Sequence, residues 1–127
     1  MRNFLMWHFP WLALMIIIWL QSAQSDLPVS VMLFPHSDKL VHFVIFGILG
    51  ASILRGMKKS WPSMSFGLLL IFTLLIAGGF GITDEWHQSM VIGRDADYLD
   101  WIADLAGIIV LSSLYYKLAT HFKWRWF

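Results

Sequence analysis

Asp38 and His42 stand four residues apart, as do Asp84 and Gln88, while Asp97, Asp100 and Asp104 recur at intervals of three and four. On helices each of these sets would share a face. A carboxylate beside an imidazole orients the ring and raises its basicity, which suits His42 to proton transfer or ligation. Thr83-Asp84-Glu85-Trp86-His87-Gln88 is the densest run of side-chain donors and acceptors in the chain. With the two cations nearby, the candidate polar site comprises Asp38, Lys39, His42, Asp84, Glu85, His87, Gln88, Arg94, Asp100 and Asp104. Its histidines and carboxylates are of the types that bind Zn²⁺ or Mn²⁺. No compact spacing such as H-E-x-x-H accompanies them, so no metal is assigned from sequence and the cofactor stays open. Nor is there a nucleophile elbow or a phosphate-binding loop, which leaves the catalytic residues unknown. The absence of cysteine excludes disulfides, a thiol nucleophile and a thiolate metal site.

The elements that must hold these residues are membrane spans. At 127 residues, 58% hydrophobic and 13% charged, the chain allows one domain and departs far from soluble composition. A hydrocarbon core about 30 Å thick needs roughly 20 apolar helical residues. Four segments approach that length, at about 4–23, 38–56, 61–82 and 98–119. The fold expected is all-α: a small integral membrane four-helix bundle forming one domain over 1–127. The first segment also resembles a secretory signal peptide, with Arg2, an apolar run from Trp11 to Leu20, and small residues at Ala23 and Ser25. Trp7, Trp11 and Trp19 fit a retained helix with interfacial aromatics better.

The breakpoints are legible. Asp26-Leu27-Pro28 and Pro35-His36-Ser37 bracket one loop, Lys58 to Pro62 makes a tight turn with Pro62 suited to a first helical turn, and Gly78-Gly79-Phe80-Gly81 is expected to loosen the third span. A polar, re-entrant or cavity-lining segment between helices three and four would explain why a charged block follows those glycines.

Charge gives a sidedness. Alternating spans put Arg2, Arg55, Lys58, Lys59, Lys117, Lys123 and Arg125 on one side without an acid, and all eight acids with Lys39 and Arg94 on the other. By the positive-inside rule both termini are expected in the cytoplasm. The tail from His121 to Phe127 mixes cations with aromatics as an interfacial anchor would. Part of the acidic cluster has a plain structural explanation: Asp38 and Asp97 suit helix N-caps, and Asp100 suits the positive end of a helix dipole. That explanation strains at His42 and Asp104, which lie inside spans where ionisable groups are costly and face partners or water.

Asp38-Lys39 with His42 and Gly47, the block Asp84-Glu85-x-His87-Gln88, Gly93-Arg94, and Asp100 with Ala103-Asp104 and Gly107 together resemble the VanZ-like membrane proteins. The likeness runs from Trp19 to Leu111. Ile92 stands where that family often has Pro, Asp95 and Asp97 where small hydroxyl residues are usual, and Asp104 where Asn is frequent. The resemblance implies a multi-pass protein of the bacterial cytoplasmic (inner) membrane, connected with the cell envelope or its lipid-linked intermediates.

Three functions fit these residues. The leading one is an outward-facing polar pocket that binds or modulates an envelope lipid-linked or glycan headgroup, with Arg94 and Lys39 contacting phosphate or carboxylate. The second is an intramembrane enzyme acting on a lipid-linked phosphoryl or acyl bond, with His42 or His87 as general acid or base. The third is a cation- or proton-coupled permease, for which so short a chain would form a homo-oligomer. Membrane lipids are the partners expected in all three, and no nucleic acid.

Overall fold

Four helices carry the chain: α1 (Arg2–Ser22), α2 (Ser37–Ser60), α3 (Phe66–Gln88) and α4 (Tyr98–His121). They are seen in a computed structural model that describes residues 2–25, 37–94 and 96–124, with the side chains of Arg2 and Asn3 undescribed. Asp26, Pro28, Pro35, His36, Asp95 and Arg125, named above, lie outside the described residues. Candidate spans of 19, 24, 23 and 24 residues reach about 29–36 Å at ~1.5 Å per residue, the thickness of a hydrocarbon core. Their order is up, down, up, down. Lys39 near the start of α2 pairs with Asp97 and Asp100 at the start of α4. At the opposite end, His8 of α1 meets Ser60 of α2.

Local chemistry sets the boundaries, and three differ from the sequence expectation. Asp38 lies inside the first turn of α2 rather than capping it, where its charge complements the exposed N–H groups. Trp61 to Ser65 form a turn instead of the first turn of α3, and Ser65 caps that helix by accepting from the Leu68 N–H at 3.4 Å. The third difference matters most for function. Helix α3 runs unbroken through Gly78-Gly79-Phe80-Gly81 and on to Gln88, so the polar block forms its last turns and is no re-entrant loop. Two of those glycines answer to packing. A Cβ at Gly78 would meet Leu105 at 2.8 Å, and one at Gly81 would meet Asp104 Oδ2 at 3.0 Å. Asp97 caps α4 as expected, accepting from the Leu99 N–H at 2.9 Å.

The closest pair is α2 against α4. Small residues let the backbones approach: a Cβ on Gly107 would collide with the Phe43 carbonyl, and one on Gly50 would come within 2.8 Å of Ser112 Oγ. Gly47, facing Leu111 and the Gly107 carbonyl, belongs to the same seam. Phe46, Leu49, Ile53, Leu54, Leu69 and Ile108 fill the dry centre behind it. Ile48, Leu75, Ile82, Ile109 and Val110 point outward and exposed, as hydrocarbon-facing side chains do. The Trp101 indole N–H donates to the Gly78 carbonyl at 3.0 Å, tying α3 to α4.

At the basic end, Trp11 Nε1 donates to His8 Nδ1 at 3.0 Å, so His8 carries its proton on Nε2 and donates it to Ser60 Oγ at 2.7 Å. Arg55 and Lys59 lie over the Trp7 ring at 5.0 and 5.3 Å. These contacts dock α1 on α2.

The seam makes opposite predictions for two glycines. Gly107→Ala should destabilise the protein by about 1–3 kcal/mol, because the obstacle is backbone that cannot step aside. Gly79→Ala, whose new methyl meets nothing within 4 Å, should be neutral or stabilising by up to ~1 kcal/mol. Thermal unfolding in detergent compares them, and equal melting temperatures would contradict so tight a seam.

Candidate functional site

Lys39 organises the mouth of the site. Its ammonium lies 2.6 Å from Asp97 Oδ2, 2.9 Å from Asp100 Oδ1 and 3.1 Å from Asp38 Oδ2, which places one cation among three carboxylates from two helices. Asp97 serves twice, since Oδ1 caps α4 while Oδ2 takes Lys39. Lys39 is thus the shared counter-ion of three anions across the two helices.

One turn deeper, His42 Nδ1 lies 3.0 Å from Asp104 Oδ1. An ionised carboxylate only accepts, so Nδ1 carries a proton toward Asp104. Nε2 is turned toward Asp100 Oδ2, 4.0 Å away. Asp104 is fully buried, and its Oδ2 has no hydrogen-bond partner among the described residues. The His42 ring lies nearly parallel to Phe46, with centroids 6.1 Å apart.

Helix α3 brings the rest. Glu85 is 92% buried; its Oε2 accepts from the Asp97 backbone N–H at 2.9 Å, while Oε1 is buried without a partner among the described residues. Asp84, on the neighbouring face, accepts from Gln88 Nε2 at 2.9 Å, and Gln88 Oε1 accepts in turn from Arg94 Nη1 at 2.9 Å. Gly93, at φ 85°, adopts the left-handed turn that returns Arg94 to this chain of contacts. His87 turns to α1, its ring stacked on Trp19 at 4.0 Å and 4°. Trp86, 64% exposed, extends outward as an interfacial side chain would.

Of the ten residues chosen from sequence, Asp38, Lys39, His42, Glu85, Asp100 and Asp104 lie together between α2, α3 and α4, Asp84, Gln88 and Arg94 form a second chain of contacts, and His87 stands against α1. They pack against one another, with Asp84, Glu85, Gln88, Asp100 and Asp104 all buried, instead of lining a wide cavity. Among the described residues, the fixed cations at this end of the bundle are Lys39, paired with Asp38, Asp97 and Asp100, and Arg94, bonded to Gln88. Three participants escaped sequence reading. Asp97 is Lys39's shortest contact, a role hidden behind its capping function; Trp19 and Ser22 reach the cluster from α1, where no periodicity marks them.

Four helices, each long and apolar enough to cross a bilayer, with a buried acidic cluster at one end, define a multi-pass α-helical membrane protein. The chain belongs to the VanZ/LLP1 family, whose model matches residues 4–120. No curated protein and no solved structure matches it.

Lys39→Met leaves three carboxylates facing one another at partial burial. The expected loss is about 2 kcal/mol, below the ~3–5 kcal/mol of a fully buried pair broken on one side because water screens this one. The double change Lys39→Met with Asp100→Asn should recover part of it. Denaturation in detergent reads both; a single variant as stable as the parent would show that Lys39 does not hold the two helices together.

Proposed function

We propose that this protein works in the bacterial cytoplasmic membrane, acidic end outward, where it binds and thereby modulates an envelope lipid through its phosphate- or glycan-bearing headgroup. The observation that carries the reading is a juxtaposition of apolar and polar surfaces. An apolar groove of about 240 Å³, lined by Met15, Ile16, Trp19, Leu20 and Phe80, runs between α1 and α3. It reaches Trp19, whose indole stacks on His87, next in sequence to Gln88 and so to Arg94. A lipid presents that same sequence of chemistries, hydrocarbon followed at once by a charged headgroup.

In this arrangement the chain of the lipid lies along the groove and Arg94 receives phosphate, its planar guanidinium being matched to that anion. Gln88 steadies Arg94, and Asp84 steadies Gln88. Lys39, engaged by three carboxylates, leaves the anion contact to Arg94. A buried acceptor such as Asp84 Oδ1 would take a hydrogen bond from a sugar hydroxyl or amine of the same headgroup.

Native mass spectrometry of gently extracted protein should retain a polyprenyl-phosphate or related envelope lipid. Arg94→Ala should lose that lipid while the protein still inserts and folds; undiminished retention by the variant would sink the proposal. Orientation has its own measurement. A reporter fused to the C-terminus should be active only in the cytoplasm, and periplasmic activity would reverse the sidedness on which access to an outer-leaflet headgroup rests.

A further inference from the structure

We propose that His42, Glu85 and Asp100 form a binding site for one divalent first-row transition-metal ion of the Zn²⁺ type, set between α2, α3 and α4. Each residue offers one ligand atom, and those atoms lie within 4.8 Å of one another. Bonds of about 2.0–2.2 Å would draw them to roughly 3–4 Å apart, a closure of about 1 Å.

The second oxygen or nitrogen of every ligand is already held. His42 donates from Nδ1 to Asp104, which leaves Nε2 as the nitrogen for a cation, the carboxylate–histidine arrangement that orients metal-binding imidazoles. Asp100 has Oδ1 on Lys39 and Oδ2 turned toward His42. Glu85, 92% buried, has Oε2 on the Asp97 N–H and leaves Oε1 without a hydrogen-bond partner among the described residues. A buried carboxylate oxygen with no donor is costly, and a cation is the ligand that answers it. Donor type narrows the ion: one imidazole nitrogen with two carboxylate oxygens suits Zn²⁺ or its first-row neighbours better than Ca²⁺ or Mg²⁺, which prefer oxygen shells of six or more. Three protein ligands also leave a coordination position for water or for an oxygen of a bound molecule. Because the ligands come from three helices, at positions 42, 85 and 100, no short sequence motif could announce them.

The site stands apart from the lipid reading and is tested with metal alone. Purified full-length protein in detergent, stripped with chelator and titrated with Zn²⁺, should take up one ion per chain saturably. His42→Ala and Glu85→Gln should each abolish that uptake, and Asp104→Asn, acting through His42, should weaken it about 10- to 100-fold. Thr83→Ala, exposed on the same turn of α3, should bind as the parent does. Circular dichroism and elution volume establish that each variant is folded. Cobalt bound to the unmutated chain needs no variant at all: the intense visible absorption of a four- or five-coordinate ion is the expected result. The pale spectrum of the hydrated ion, absence of saturable Zn²⁺ uptake, or uptake that survives both His42→Ala and Glu85→Gln would overturn the proposal.

Discussion

Asp104 is fully buried partway along a helix that crosses hydrocarbon, and the rest of the bundle is arranged so that it can be there. A carboxylate at that depth requires a partner, and the partner is His42, 62 residues earlier in the chain and on another helix. The 3.0 Å contact exists only if α2 and α4 come nearly backbone to backbone, which Gly107 against Phe43 and Gly50 against Ser112 permit. Packing and polarity are therefore one constraint. Any side chain that opened the seam would also separate the imidazole from its carboxylate and strand a charge in the interior.

The same logic scales outward along the bundle. At the mouth, three carboxylates share Lys39; on the α3 side, Glu85 takes a backbone N–H that α4 could not satisfy within its own first turn. Polar groups answer one another across helices while the opposite surfaces stay apolar, which is how a short chain can hold so many charges at a membrane boundary. The basic end follows a different pattern, with indole rings and cations in place of ion pairs: Trp7 receives Arg55 and Lys59, and Trp11 bonds His8.

Most of this was legible in the residues, because span length and the three- and four-residue spacing of polar groups are properties of single helices. Asp38 and His42 could be put on one face of the second span, and Asp100 and Asp104 on one face of the fourth, from periodicity alone. What could not be read was anything set by the meeting of helices. The glycines at 78, 79 and 81 look like a helix end because glycine has low intrinsic helix propensity, yet the tight contact with Leu105 and Asp104 makes two of them packing residues and the helix continues to Gln88. Pro62 suggested a helix start, but Ser65 supplies the cap and moves it to Phe66. Lys39 read as a ligand contact because its three carboxylates, two of them some sixty residues away in sequence, were not yet around it.

That distance along the chain bears on how the protein is made. As synthesis proceeds from the N-terminus, α2 reaches the membrane carrying Lys39 and His42 while Asp97, Asp100 and Asp104 have yet to emerge. Until then Asp38 is the acid beside Lys39, and the imidazole has no carboxylate within its own span below that first turn. Helix α4 thus brings the cross-helix partners of Lys39 and His42, and the polar end of the bundle closes only when that span arrives.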